Sequence, residues 1–497
     1  MEVKGKSEPV PAFSVVAPRA APVSARGIEG LDSPLVGRDG ELKTLQARVD
    51  ELLQGRGQIV SVMGDAGLGK SRLVAEIRKW IAAERPIQWI EGRSLSYESS
   101  TPYAPFLDLF TRFYQLRVDE DDAAKYSRLR ENIRSIAQDH LEIAPFVATM
   151  LGIKLEGEDL ERVRYLEPPQ LREKIFQAVL HLFEYLARKQ PIVVMVDDLH
   201  WADSVSLDLL ERLMGLTGSA PVMILALFRP QRQEPSWRFH ETAQRDHAHR
   251  YTPIALEPLD ETSARQLVAN LLEIEDLPEK VRALILKKAE GNPFYVEEVI
   301  RSLLDAKLVV RQDSHWRATR EIENIQVPDT LVGVIGARLD RLDQESKRTA
   351  QTAAVIGREF QLEILQDISE AKPQLSGALE TLQRRELIRE KNRVPAPAYI
   401  FKHALTQETA YASLLMSKRR EVHKRVAECL ERLAPDRVND IAWHFVEAQE
   451  SARAAVSSSS GRARLARVLD PGSHCLFLAR DGDCGNESGH DTGARGI

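Results

Sequence analysis

A glycine-rich segment followed at once by a lysine and a serine carries the clearest chemistry of the sequence. An apolar, strand-like run leads into it and a helix-period segment follows it. Glycines in such a loop let backbone N–H groups turn toward an anion at the helix N-terminus, where the helix dipole also favours negative charge. Lys70 would reach the β- and γ-phosphates of a nucleotide, and Ser71 would offer its hydroxyl to Mg²⁺. The segment matches the G-x-x-x-x-G-K-S pattern of a phosphate-binding loop (P-loop), and its candidate binding residues are Gly64, Asp65, Ala66, Gly67, Leu68, Gly69, Lys70, Ser71 and the adjoining Arg72.

Two adjacent carboxylates end a second apolar run, Ile192–Val196. An uninterrupted apolar run is typical of a buried parallel strand, and Asp197 and Asp198 would stand at its tip. Asp197 would hold the Mg²⁺, directly or through water, while Asp198 would polarise the attacking water. An alternative is that the pair only forms the turn and N-cap of the next helix. The P-loop upstream favours the catalytic interpretation.

Arg229 follows a third apolar run, Val222–Phe228. If that strand lies beside the P-loop strand, the arginine points at the γ-phosphate and acts as a sensor. The alternative is an ordinary strand-end arginine in solvent. Lys70, Asp197, Asp198 and Arg229 are therefore the candidate catalytic residues, with Ser71 and Asp197 as the candidate metal ligands.

The elements that must position these residues follow an alternating pattern. Short apolar runs that predict strands are separated by helix-period segments, which implies parallel pairing through crossovers. In such α/β sheets, ligands bind at the carboxyl ends of the strands, where the motifs lie. The predicted strands are 58–63, 87–90, 192–196, 222–228 and 254–256.

Composition limits the class of protein. The chain has 497 residues, a formal net charge of −6 and three cysteines. An acidic balance disfavours bulk nucleic-acid binding, and so few cysteines suit a reducing cytosol. No apolar run approaches the length of about 18 residues that a membrane helix needs. We expect a cytoplasmic protein without a membrane segment and without nucleic acid as a partner.

Five segments together resemble the AAA-type STAND ATPases, the signal-transduction ATPases with numerous domains, over about Leu35 to Gln449. They are Leu35-Val36-Gly37-Arg38 with Glu41-Leu42, the P-loop, Asp197 to Asp203, Phe228-Arg229-Pro230 and Gly291-Asn292-Pro293-Phe294. The resemblance implies an α/β P-loop NTPase fold of the ASCE/AAA type, with a parallel sheet and a helical lid, then winged-helix and α-helical segments. It also implies an ADP-bound closed form that ATP releases.

The resemblance assigns further site residues. Val36, Gly37 and Arg38 would border the adenine, and Pro293 would contact the base or ribose. His403, in Phe401-Lys402-His403-Ala404-Leu405, would contact the β-phosphate of ADP. From the residues alone, Gly291–Pro293 is also consistent with a turn between helices, and His403 with a histidine that packs or is solvated at a helix start. Most hydrolytic relatives carry Glu where Asp198 stands, so we expect slow, Mg-dependent ATP hydrolysis.

The same patterns divide the chain. Helix-period segments at 263–272, 281–289 and 296–304 predict the lid, and those at 331–342, 346–356 and 375–387 fit a winged helix. The predicted organisation is a linker over 1–34, a P-loop ATPase domain over 35–256, a helical lid over 257–310, a winged-helix-like domain over 311–400, the start of a helical repeat region over 401–454 and an unpatterned tail over 455–497. The tail suggests a truncated protein or an interrupted reading frame.

Val3–Phe13 resembles the closing strand of class III adenylate/guanylate cyclase domains, although a linker rich in Lys, Gly and Pro would look similar. We therefore expect a slow nucleotide-dependent switch, the regulatory part of such a cyclase or another signalling output domain, that self-associates when ATP-bound. The chain itself should lack cyclase activity. The alternatives are the ATPase core of a transcription activator and a winged-helix DNA-binding, initiator-like ATPase, for which the basic stretch 389–393 would be the DNA contact.

Overall fold

The computed structural model describes residues 34–454, except 95–100, 118–119, 138–139, 272–273, 276, 313–314, 320, 323–326, 370–373, 393–395 and 436. The predicted linker with its cyclase-like segment, except Pro34, and the predicted tail lie outside these residues. Within them, no helix has the length and apolar character to cross a membrane.

A parallel sheet organises the first part of the chain. Its strands are β1 (Gln58–Met63), β2 (Gln88–Arg93), β3 (Ile192–Asp197), β4 (Val222–Phe228) and β5 (Tyr251–Ala255). Their order across the sheet is β2-β3-β4-β1-β5, so the P-loop strand β1 lies between β4 and β5. The parallel α/β sheet is therefore confirmed, and β4 pairs with β1 as the sensor hypothesis for Arg229 requires.

Two strands differ from their predicted bounds by more than one residue, and both are edge strands. β5 begins at Tyr251 and includes Pro253, which an edge strand tolerates because one side of its backbone needs no partner. β2 continues past Ile90 through Glu91 to Arg93, polar residues that an apolar run does not capture.

Helices cover both faces of the sheet, which explains the continuous apolar character of its central strands. In β3, for example, Val194 packs into the cluster on one face and Val193 into the cluster on the other. The helices of this part are α1 (Asp39–Leu53), α2 (Lys70–Glu84), α3 (Ala104–Phe113), α4 (Asp122–Ile136), α5 (Ala144–Met150), α6 (Gly157–Arg164), α7 (Pro168–Lys189), α8 (Ser204–Leu216) and α9 (Trp237–Asp246).

A helical bundle with its own hydrophobic cluster follows β5. It contains α10 (Glu261–Leu271), α11 (Glu279–Ala289) and α12 (Pro293–Asp305), close to the helices predicted for the lid. Three short strands, β6 (Ile274–Glu275), β7 (Val309–Gln312) and β8 (His315–Ala318), form a small sheet beside it that the helical pattern did not predict. The predicted boundary at 310 falls within the β7–β8 hairpin.

The last described part combines helices with a three-stranded antiparallel sheet, β10-β11-β9, as expected for a winged helix. One hydrophobic cluster joins this sheet to the helices that follow, so no core boundary occurs at residue 400. The elements are α13 (Leu331–Asp340), α14 (Gln344–Ile356), β9 (Glu359–Gln361), α15 (Leu362–Ile368), α16 (Leu375–Arg384), β10 (Ile388–Asn392), β11 (Ala398–Phe401), α17 (Ala404–Ala412), α18 (Met416–Leu433) and α19 (Val438–Glu447).

A buried ion network connects the lid to this last part, residues 331–447, which is called the winged-helix segment below. Glu298 of α12 is 1% exposed and its two carboxylate oxygens lie 2.6 Å from Arg301 and 2.7 Å from Arg338. Arg301 also reaches Glu386, 2.9 Å away, which follows α16, and Arg338 of α13 reaches Asp305 at 2.8 Å. Because buried charges must be compensated, these pairs fix how the two segments meet.

We expect Glu298→Gln to lower the free energy of unfolding by about 3–5 kcal/mol, because it leaves two buried guanidinium groups under-compensated. The control is Glu421→Gln, which removes an exposed pair with Lys418 and should cost about 0–1 kcal/mol. Chemical denaturation of the full chain measures both. Equal losses in the two variants would contradict a stabilising role for the network.

Candidate nucleotide-binding site

The P-loop connects β1 to α2 with the geometry an anion site needs. Gly67 and Gly69 have φ values of +90° and +98°, which L side chains rarely adopt. Gly69 caps α2, and Lys70 is its first residue, so the helix N-terminus faces the loop. The Lys70 ammonium donates to the carbonyl oxygens of Gly64 at 2.6 Å and Asp65 at 3.2 Å. Burial lowers the pKa of Lys70, while Asp198 raises it.

The two carboxylates lie at the tip of β3, as predicted. Asp198 has a left-handed backbone, φ +57°, and its N–H donates to Asp197 Oδ1 at 3.1 Å. Burial raises the pKa of Asp198, and the charge of Asp197 raises it further, while Arg358 and Arg93 oppose them. The site therefore concentrates negative charge that nearby cations must balance.

Arg93 is one of these cations, and sequence reasoning missed it. Its Nε lies 3.6 Å from Asp197 Oδ2, because the last residue of β2 pairs in register with Asp197 of β3. The signal that could have identified it is its position, since Arg93 is a basic residue three positions after the predicted strand 87–90 of the same sheet.

Arg229 follows β4 directly, where Phe228 is in register with Met63 at the end of β1. The side chain lines one cavity together with Lys70 and Asp198. Its Nη2 lies 3.3 Å from Glu408 Oε1 on α17. The structure thus brings the sensor candidate to the P-loop, where it is paired with a carboxylate.

The segment before α1 closes another side of the cavity. Arg38 is buried and donates to the carbonyl oxygens of Glu257 at 2.6 Å and Leu68 at 3.3 Å. Gly37, at φ +65°, packs against α10, because a Cβ there would lie 2.5 Å from Ser263 Oγ. Val36 and Arg38 line the cavity, whereas Gly37, which has no side chain, allows α10 of the lid to pack closely against this segment.

Asn292 joins the lid to the P-loop. Its Oδ1 accepts from the N–H groups of Phe294 and Tyr295 at the start of α12, and its Nδ2 donates to Ala66 O at 3.1 Å. A Cβ on Gly67 would lie 2.5 Å from Asn292 Oδ1, so the loop needs glycine here. Asn292 was not among the site residues predicted from the sequence, although an asparagine before a proline at the first helical position is a helix-start signal.

His403 reaches the site from the winged-helix segment. It stands just before α17, and its ring centroid lies 4.2 Å from that of Phe294. Arg358 comes from the same segment, just before β9, and its Nη1 lies 3.2 Å from Asp198 Oδ2. Arg358 carried no sequence signal because its partner is 160 residues away along the chain.

One cavity gathers most of the predicted residues. Those that line it are Val36, Arg38, Ala66, Gly67, Leu68, Gly69, Lys70, Ser71, Arg72, Asp198, Arg229, Pro293 and His403, while Gly37, Gly64, Asp65 and Asp197 are not among its lining. The lining residues that were not predicted include Leu259, Leu267, Leu271, Phe294, Glu297 and Arg358. Apolar side chains suit a planar base, and the basic residues with the P-loop suit phosphates.

Oxygen atoms suitable for Mg²⁺ lie at the phosphate end of the site. Ser71 and Asp198 line the cavity, and Asp197 is buried beside Asp198 at the end of β3. Hard oxygen ligands beside nucleotide phosphates are what Mg²⁺ prefers. The donor set therefore fits the predicted cation.

Two family models match the chain. The AAA ATPase domain matches residues 34–225. A domain of unknown function matches residues 260–317, the lid and its small sheet.

Curated relatives match at low identity. An uncharacterized protein of Rhizobium meliloti is 27% identical over 412 residues, 80% of this chain and 37% of its own length. Adenylate cyclase type 10 of Oryctolagus cuniculus is 20% identical over 67% of this chain and 23% of its own length. The hybrid signal transduction histidine kinase G of Dictyostelium discoideum is 29% identical over 127 residues, 4% of its length. This chain thus spans less than half the length of each of these relatives.

Solved structures are similar at low TM-scores. A STAND protein with a tetratricopeptide repeat sensor from Pyrococcus horikoshii has a TM-score of 0.45 at 14% identity, covering 92% of this chain and 54% of that one. The Aeropyrum pernix ORC1 protein in complex with DNA has a TM-score of 0.35 at 14% identity, covering 77% and 94%.

The family match spans the strands β1, β2 and β3, including the P-loop and the two aspartates, and ends within β4. It begins at the segment that lines the cavity ahead of α1. Residues 34–225 of this chain therefore match the AAA ATPase domain, and the prediction of an AAA-type ATPase module is confirmed.

Proposed function

We propose that this chain binds ATP and ADP with Mg²⁺ and acts as a slow, nucleotide-dependent switch in a signalling protein. The observation that carries the proposal is the composition of one cavity, which the P-loop, the lid and the winged-helix segment all line. A nucleotide in that cavity would contact all three. A change at its γ-phosphate would therefore alter how these segments pack together.

The residues present could perform hydrolysis at a low rate. Mg²⁺ would neutralise charge on the phosphate oxygens, and Lys70 would hold the β- and γ-phosphates. Asp198 would accept a proton from the water as the water oxygen bonds to the γ-phosphorus. The bond between the γ-phosphorus and the β–γ bridging oxygen breaks, and ADP leaves. Its carboxylate is one methylene shorter than that of a glutamate, which supports slow turnover.

The arrangement also supports ADP as the ligand of this closed form. His403 and Phe294 close the cavity from the winged-helix segment and the lid, and Pro293 lies beside them. Val36 and Arg38 also line the cavity, in keeping with the proposed adenine contact. The wild-type chain should accordingly bind ADP at least as tightly as ATP.

A signalling role is supported by two of the relatives, an adenylate cyclase and a hybrid signal transduction histidine kinase. We assign the chain to the regulation of a class III cyclase domain or another output domain, in the cytoplasm, with self-association in the ATP-bound form. In the initiator-like alternative, Lys391 of the basic stretch would have to leave its ion pair with Glu359 to contact DNA.

Nucleotide binding should depend on Lys70. Calorimetry with ATP and ADP in the presence of Mg²⁺ should show at least about a 100-fold loss of affinity in Lys70→Ala, because the phosphates lose their buried cation. Lys43→Ala, an exposed position on α1, is the control and should bind as the wild type does. Equal binding by all three proteins would rule out the P-loop as the site.

Hydrolysis should depend on Asp198. Phosphate release from Asp198→Asn should fall by about 10²-fold or more, since an amide cannot take the proton. Asparagine tolerates the left-handed backbone found there, so the fold and nucleotide binding should persist. Asp246→Asn, at an exposed helix end, should leave phosphate release unchanged. Undiminished release by Asp198→Asn would assign the base elsewhere.

The lid contact can be separated from helix capping at Asn292. Serine is a good N-cap but is too short to reach Ala66, so Asn292→Ser should keep stability within about 0.5 kcal/mol and still weaken nucleotide binding. Asn292→Ala loses the cap as well and should cost about 1 kcal/mol more. Thermal unfolding and calorimetry measure the two effects. Wild-type affinity in Asn292→Ser would show that the lid contact does not retain nucleotide.

A further inference from the structure

Side chains of the winged-helix segment engage two of the candidate catalytic residues at once. Arg358 lies 3.2 Å from Asp198, the candidate base, and Glu408 lies 3.3 Å from Arg229, the candidate sensor. All four charges are largely withdrawn from water, the Arg358 side chain being 10% exposed and that of Arg229 21%. Solvent therefore screens these pairs less than surface ion pairs.

The two pairs change what the phosphate end of the cavity offers a ligand. An arginine at this edge would bind the γ-phosphate of ATP through charge-assisted hydrogen bonds. The Glu408 carboxylate already provides that arginine with an anionic partner. ADP carries no γ-phosphate and does not compete with Glu408, whereas ATP must displace it or leave its own terminal charge uncompensated.

Arg358 acts on the other group. The Arg358 guanidinium lies against the Asp198 carboxylate in the cavity that both residues line, and so occupies the space through which a water would approach that carboxylate. Proton transfer to Asp198 would require the arginine to withdraw. The Arg358–Asp198 pair therefore opposes hydrolysis, whereas the Glu408–Arg229 pair opposes entry of the third phosphate.

We infer that Glu408 determines the nucleotide preference of the site, its carboxylate taking the place of a γ-phosphate on Arg229 so that the closed form selects a nucleoside diphosphate, and that Arg358 restrains hydrolysis there. This inference rests on the proposed nucleotide switch and names the residues that regulate it.

Both residues belong to one packed unit, so the two contacts form and break together. Phe360, two residues after Arg358, and Ala410, two after Glu408, lie in the same hydrophobic cluster. A third contact joins this unit to the sheet, because Glu359 lies 3.9 Å from Arg93, which neighbours Asp197. Displacement of Glu408 by a γ-phosphate therefore weakens the hold of Arg358 on Asp198.

The test compares ATP and ADP affinities of the full chain by calorimetry with Mg²⁺. Glu408→Gln preserves the size of the side chain but removes its charge, so the affinity for ATP should rise about 10-fold or more relative to that for ADP, which should stay within about two-fold. Arg358→Ala should raise single-turnover phosphate release by about 10-fold. The controls are Glu380→Gln and Arg384→Ala, exposed changes of the same charge on α16, which should behave as wild type.

A second comparison checks whether Glu408 acts through Arg229. In an Arg229→Ala background, Glu408→Gln should no longer change the ratio of ATP to ADP affinity, because both act through the same contact. ADP binding and an unchanged unfolding transition show that each variant is folded. If Arg358→Ala does not fold, the Glu408→Gln measurement decides alone.

The outcomes separate the two proposals. Binding that is indifferent to Lys70→Ala removes the proposed function. If binding requires Lys70 but the ratio of ATP affinity to ADP affinity is the same in the wild type, Glu408→Gln and Glu380→Gln, only the role of Glu408 is overturned. An equal rise in the affinities for ATP and ADP in Glu408→Gln would also overturn that role, since the Glu408–Arg229 pair would then only hold the site closed against either nucleotide.

Discussion

Compensation of buried charge at the carboxyl edge of the parallel sheet is the constraint on which the site depends. The parallel register brings Arg93, Asp197 and Asp198 together at this edge, and the P-loop adds Lys70 while β4 adds Arg229. None of these charges is stable there alone, because burial penalises each of them. In this structure Arg358 and Glu408 complete the balance, and a nucleotide with its metal would complete it differently.

The lid and the winged-helix segment are coupled to that edge by polar contacts. Asn292 holds the start of α12 against Ala66, and the charges around Glu298 tie α12 to α13 and to the turn after α16. Glu297, next to Glu298, lines the nucleotide cavity. A change at the phosphates can therefore reach the winged-helix segment along two routes, directly through Arg229 and indirectly through the lid.

Local sequence was informative where function constrains contiguous residues. The P-loop needs glycines, Lys70 and Ser71 at fixed spacing after a strand, so the motif predicts its own geometry, and the central strands were found because burial on both faces requires unbroken apolar runs. The edge strands were less clear, since β2 ends in polar residues and β5 contains Pro253. The hairpin β7–β8 was missed because it is short and follows a strongly helical pattern.

The sequence by itself determined that the chain has a phosphate-binding loop, a carboxylate pair at a buried strand tip and an arginine after a third strand, because each depends on neighbours within a few residues. Only the tertiary structure decided which strand lies beside the P-loop, and that Asn292, Arg93, Arg358 and Glu408 belong to the site. Those contacts join residues up to 226 positions apart. No local period encodes such pairings, since they arise when separately folded segments meet and their buried charges find partners.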